Sequence, residues 1–99
     1  MPELLDDNAL TTALAGLDGW TGDAELLRRT VQAPDFPTAI RIVDEVAVAA
    51  EEMNHHPDID IRWRTLHLGL TTHDAGGVTD LDTALAARID AIARAHGAT

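Results

Sequence analysis

The chain has no cysteine, which excludes disulfide staples, thiolate zinc sites and a cysteine nucleophile. Aromatic residues are nearly as scarce: two Trp, one Phe and no Tyr. The 45% of hydrophobic residues is therefore mostly Ala, Leu, Val and Ile. Such residues predict a thin aliphatic core that burial between subunits would help to stabilise. Positive charge is also short, with 7 Lys+Arg against 17 Asp+Glu and a formal net charge of −10. A field of that sign repels phosphate backbones and anionic lipid, so direct binding to nucleic acid or to a membrane surface is not expected. No apolar run approaches the roughly 18 residues of a membrane-spanning helix. The opening MPELLDDNAL is acidic, without the basic and apolar regions of a signal peptide. The expectation is a cytoplasmic protein.

What is present has the pattern of one domain over residues 1–99, with no repeat, low-complexity tract or linker. Leu10, Ala13, Leu14 and Leu17 recur at helical spacing, with Asp6 or Asp7 as N-cap and Gly19 beyond the end. Thr21, Gly22 and Asp23 are turn residues between a short strand and a second, antiparallel one from about Ala24 to Ala33, in which Arg29 interrupts the parity of Leu27, Val31 and Ala33. Asp35 caps and Pro37 opens a long helix, roughly Phe36 to Met53, whose inward residues are Ala39, Ile40, Val43, Val46, Ala47, Ala50 and Met53, with Ile42, Val48 and Ala49 widening the apolar surface. Ile59, Ile61 and Trp63 take odd positions while Leu66, Leu68 and Leu70 take even ones. That phase slip requires a turn or bulge, giving two short strands or one strongly bent strand ending near Thr72, and the odd parity puts Trp63 in the core. HDAGGVT is a loop, and Thr79 with Asp82 resembles a capping box opening a last helix with Leu81, Leu85, Ile89 and Ile92 inward. The order α-β-β-α-β-β-α predicts an α+β fold, a four-stranded antiparallel sheet with helices packed on one face.

Five histidines are the main chemical groups: His55, His56, His67, His73 and His96. His96 falls in the last turn of a helix, where the dipole favours a partly charged imidazole. His67 has the parity opposite to its leucine neighbours and is expected to face solvent or another subunit. His55 and His56 stand in a short loop before Pro57, between a helix end and a strand start, and His73 ends the following strand. In an antiparallel pair those two positions share one edge, so three imidazoles suited to proton transfer could meet there. Zinc competes for the same residues. Against it, adjacent side chains in extended chain point apart, and no HxH or HxxxH spacing offers two ligands on one face. Glu51 lies one helical turn before His55 and could hydrogen-bond it, or simply be solvated; Asp82 is explained by capping alone.

Taken together, Glu51-x-x-x-His55-His56-Pro57, five residues to Trp63, nine to His73 and eight to Asp82 resemble the signature of the pterin-4a-carbinolamine dehydratase family. Gly19-Trp20, Asp35-Phe36 and THDAGG support the resemblance, which runs from about Leu10 to Ile92. It implies dehydration of 4a-hydroxytetrahydropterin to the quinonoid dihydropterin, in tetrahydrobiopterin recycling, without metal or organic cofactor. It further implies a pterin substrate and a homodimer or homotetramer. The family's active-site histidines fall on His55, His56 and His73, and its orienting carboxylates on Glu51 and Asp82. Animal members carry an aromatic residue where this chain has Ile59 and a basic one where it has Leu81. A non-catalytic interaction or dimerisation-cofactor protein on the same fold is the alternative reading.

Overall fold

The computed structural model describes residues 2–99. Its elements are α1 (Asp7–Ala15), β1 (Thr21–Gly22), β2 (Leu27–Gln32), α2 (Phe36–Met53), β3 (Asp58–Arg62), β4 (Thr65–Leu70), a 3-10 turn (His73–Ala75) and α3 (Asp80–Ala95). The strands form one antiparallel sheet in the order β1-β2-β4-β3. This is the expected α+β architecture in the expected order.

Alternation along the strands makes one face apolar. Leu27 and Val31 of β2 lie opposite Leu70 and Leu66 of β4, and all four are fully buried. On the other face Arg28, Thr30, His67 and Asp60 remain exposed, because all three helices cover the first face only. Arg29, which broke the apolar parity, points into the helix layer and pairs with Asp90 of α3. Trp20 Nε1 donates to the same carboxylate at 2.7 Å. An apparent fault in the strand pattern is thus a buried tie between sheet and helix.

The long helix spans Phe36–Met53 as expected, with the Asp35 side chain accepting from Thr38 N–H. Its buried stripe is Ala39, Ile42, Val46, Ala49 and Ala50, whereas Ala47 and Val48 are exposed. The stripe is rotated from the expected one because apolar residues lie on more than one side of α2, which leaves the inward direction to the partners. Three further boundaries differ. The first helix stops at Ala15 with Gly16 as its C-cap. The Asp23 carboxylate binds the N–H groups of Glu25 and Leu26, so β2 begins only at Leu27. The fourth strand ends at Leu70, and Thr72 makes a lone bridge to Gly77.

Trp63 is not in the core. It is 71% exposed, in the two-residue turn of the β3–β4 hairpin closed by the pair Arg62 and Thr65. The phase slip is that hairpin turn. Trp63 takes a φ of +53° there, so its side chain leaves the parity of Ile59 and Ile61. Its ring instead carries the Arg64 guanidinium, 5.1 Å from the ring centroid.

Candidate functional site

The second helix ends on Asn54, whose φ of 48° and ψ of 45° turn the chain out of the helix in a left-handed C-cap. His55 follows at once, its N–H bonded to Ala50 O at 3.0 Å. The register of β3 on β4 pairs Asp58 with Gly69, so the segment entering β3 and the segment leaving β4 share one edge of the sheet. His56 approaches that edge and His73 departs from it. Thr72 N–H bonds Gly77 O at 2.9 Å, which closes the loop bearing His73.

These segments enclose a cleft of about 290 Å³, lined by His55, His56 and His73 with Asn54, Thr72 and Leu81 among its other walls. Pro2 also lines it. The N-terminal segment reaches the site because Leu5 N–H bonds Val78 O, beside the bridge of Leu4 with Thr79. No periodic signal in MPELL announces that placement. A larger cleft of about 540 Å³ opens on the uncovered sheet face beside Gly69 and contains His67 but none of the other histidines. The smaller cleft is the one lined by three imidazoles, two of which are paired with carboxylates.

His55 is 8% exposed, and its Nε2 lies 2.5 Å from Oδ1 of Asp82, which is fully buried. An ionised carboxylate only accepts, so Nε2 carries the hydrogen in this pair. Asp82 also accepts at Oδ2 from Thr79 N–H and from the Thr72 hydroxyl, both at 2.8 Å. It is a capping residue of α3 and the partner of His55 at the same time.

Glu51 does not reach His55. Its Oε2 lies 2.5 Å from Nε2 of His56, and both side chains are largely exposed. Helical i, i+4 spacing fails there because α2 has already ended at Met53. His73 is exposed at the start of the 3-10 turn. His67 faces solvent beside the Thr30 hydroxyl, and His96 caps α3 and pairs with Glu45 of α2. Thr72 was missed by sequence reasoning, although it precedes His73 in the TTHDAGG run.

Among the described residues no group of three or more His, Cys, Asp or Glu is placed to hold a metal ion. No described helix is long and apolar enough to cross a membrane. The cleft presents imidazole groups beside the apolar Pro2, Ala75 and Leu81.

Residues 3–92 match the family described as pterin 4 alpha carbinolamine dehydratase. A relative from Nocardia farcinica is 55% identical over 92 residues, covering 93% of this chain and 97% of its own length. Another from Roseiflexus castenholzii is 52% identical over 92 residues, covering 93% of this chain and 99% of its own. Both are provisionally named pterin-4-alpha-carbinolamine dehydratase. The crystal structure of a transcriptional coactivator/pterin dehydratase from Brucella melitensis superposes with a TM-score of 0.87 at 34% identity, covering 90% of this chain and 97% of that one. A pterin dehydratase-like RuBisCO assembly factor of the alpha-carboxysome shares the fold, with a TM-score of 0.62 at 24% identity over 75% of this chain and 86% of its own. This chain belongs to the pterin-4-alpha-carbinolamine dehydratase family.

Proposed function

We propose that residues 1–99 act as one cytoplasmic dehydratase domain that converts 4a-hydroxytetrahydropterin to quinonoid dihydropterin, as a step of tetrahydrobiopterin recycling. The observation that carries this reading is His55, fixed by the buried Asp82 and facing a cleft shared with His56 and His73. The reaction needs two proton transfers and no change of oxidation state. An imidazolium gives its proton to the C4a hydroxyl, the C–O bond breaks, and water leaves with the bonding pair. A neutral imidazole takes the proton from a ring N–H, whose electrons form the new C=N bond. His55 and His73 form this acid–base pair. His56, held by Glu51, positions the substrate or shares the acid's task. Each such transfer typically contributes about 10²–10⁴-fold in rate.

The test is the appearance of quinonoid dihydropterin from freshly prepared 4a-hydroxy substrate. Acceleration by the wild type, with loss of about 10²-fold or more in His55→Ala and in His73→Ala, is the expected outcome. No acceleration, or full rate in both variants, overturns the reading.

A second reading, as an interaction protein, is favoured by the exposed Phe36, Val48, Ile61 and Trp63 and by the coactivator named for the Brucella melitensis relative. At a net charge of −10 such a role would act through protein rather than nucleic acid. The same apolar residues suit a homodimer or homotetramer. Light scattering coupled to size exclusion would return a multiple of 10.6 kDa, and a monomer at every concentration refutes the assembly.

A further inference from the structure

Thr72 is 7% exposed and sits in the polar cluster behind His55. Its Oγ1 lies 2.8 Å from Asp82 Oδ2 and 2.7 Å from Thr79 Oγ1. A hydroxyl has one proton to give, and an ionised carboxylate can only accept. The Thr72 proton therefore goes to Asp82, and the Thr79 proton must go to Thr72 Oγ1. Thr79 Oγ1 in turn accepts the N–H of Leu81 at 3.2 Å. The donors all run one way, from the first turn of α3 through Thr79 and Thr72 to Asp82. Two of them, the Thr72 hydroxyl and Thr79 N–H, occupy Oδ2. Oδ1 remains for His55 Nε2.

We propose that Thr72 is a positioning residue, which sets the tautomer and orientation of His55 through Asp82. The other tautomer would bring a bare Nε2 against a carboxylate oxygen, which requires a proton on Asp82. That proton would sit on Oδ1, facing Nε2, and the two donors on Oδ2 oppose it because their hydrogen bonds are stronger to an ionised carboxylate than to a neutral acid. A chain of aligned hydrogen bonds in a buried site also strengthens each member, so removing one link weakens the bond at the far end. Thr72 also anchors the turn that carries the second imidazole. Its carbonyl accepts from Ala75 N–H at 3.1 Å and Gly76 N–H at 3.0 Å, the turn that carries His73. One residue thus ties both members of the acid–base pair to the same buried carboxylate. The kinetic half of this inference rests on the dehydratase reading; the structural half does not.

Nitrogen-15 NMR of histidine-labelled protein reads the His55 tautomer without substrate. The wild type is expected to show Nε2–H, with that proton moved downfield by Asp82. Thr72→Val keeps the shape and removes the hydroxyl. It is expected to lose the downfield proton and to populate both tautomers, and Thr72→Ser is expected to restore the wild-type signature. In the dehydratase assay Thr72→Val should lose roughly 10–100-fold in kcat, with KM within about twofold. A Thr72→Val protein that keeps the pure Nε2–H tautomer overturns the proposal, whatever its stability. Should that variant fail to fold, Thr72→Ala removes the same hydroxyl without adding a methyl group and is judged by the same spectrum. A wild type without dehydratase activity would sink the proposed function, while the tautomer still decides the case for Thr72.

Discussion

Asp82 and Glu51 are both carboxylates bonded to an imidazole, yet their surroundings predict opposite consequences of removal. Asp82 is sealed from solvent and accepts from His55, Thr72 and Thr79. Asp82 is the N3 member of the capping box, and its removal leaves Thr79 N–H and His55 Nε2–H without partners at about 1–3 kcal/mol each, while the Thr72 hydroxyl can rotate. Asp82→Ala is therefore expected to lower unfolding free energy by about 2–6 kcal/mol, read from urea denaturation, besides abolishing most activity. Glu51 and His56 face water, where such a pair contributes about 0–1 kcal/mol. Glu51→Ala should leave the denaturation midpoint nearly unchanged while still lowering the dehydratase rate. Equal destabilisation by the two variants would contradict this distinction. Residue spacing offered capping for Asp82 and either solvation or a bond to His55 for Glu51, but it could not say which of them is buried, because spacing carries no information about burial.

At the scale of elements, turns and caps position the site. Gly77 lets the loop after β4 pass close to the β1–β2 connection: a Cβ there would come within 2.6 Å of the Ala24 carbonyl oxygen. Backbone must move to relieve that clash, so Gly77→Ala should destabilise by about 1–3 kcal/mol and displace the turn bearing His73. Unaltered thermal stability would show that the loop has slack. Trp63 gives the opposite prediction. Truncating a core Trp costs about 3–5 kcal/mol, but an exposed residue at φ +53° gains from losing its Cβ. Trp63→Gly is expected to leave the melting temperature unchanged or raised, and a fall of many degrees would return Trp63 to a packed position. The Asp35 cap of α2 supplies a pH test. Hydrogen bonds from the Thr38 side chain, then from its backbone N–H, hold the Asp35 carboxyl below the usual carboxylate range. The unfolded chain then binds the proton more readily, so the stabilisation is complete above the ordinary carboxylate pKa and is lost as pH falls through the folded value. Asp35→Asn keeps the cap and should flatten that part of the acid stability curve.

For the whole molecule the dominant quantity is a formal charge of −10 on a 10.6 kDa chain. Self-repulsion at that density is screened as salt shortens the Debye length from about 10 Å at 0.1 M to about 3 Å at 1 M. The melting temperature should rise over that range, and a fall would mean that attractive pairs outweigh repulsion. Local order was decided by the sequence itself. Helical spacing, capping residues and strand alternation identified the described α-helices and strands, though not the 3-10 turn at His73–Ala75, because these signals depend on neighbours within a few positions. The spacing of His55, His56 and His73 around a predicted strand pair also foretold that they would share an edge. What tertiary structure alone decided was partnership across the chain. It directed His55 to Asp82 and left His56 for Glu51, exposed Trp63, turned Arg29 inward to Asp90, and brought Thr72 and Pro2 to the cleft. Those outcomes depend on the exit angle of α2 at Asn54, on which apolar stripe of that helix is buried, and on how the β3–β4 hairpin turn sits against the rest of the fold. Each is fixed by packing between elements far apart in sequence, which no local pattern encodes.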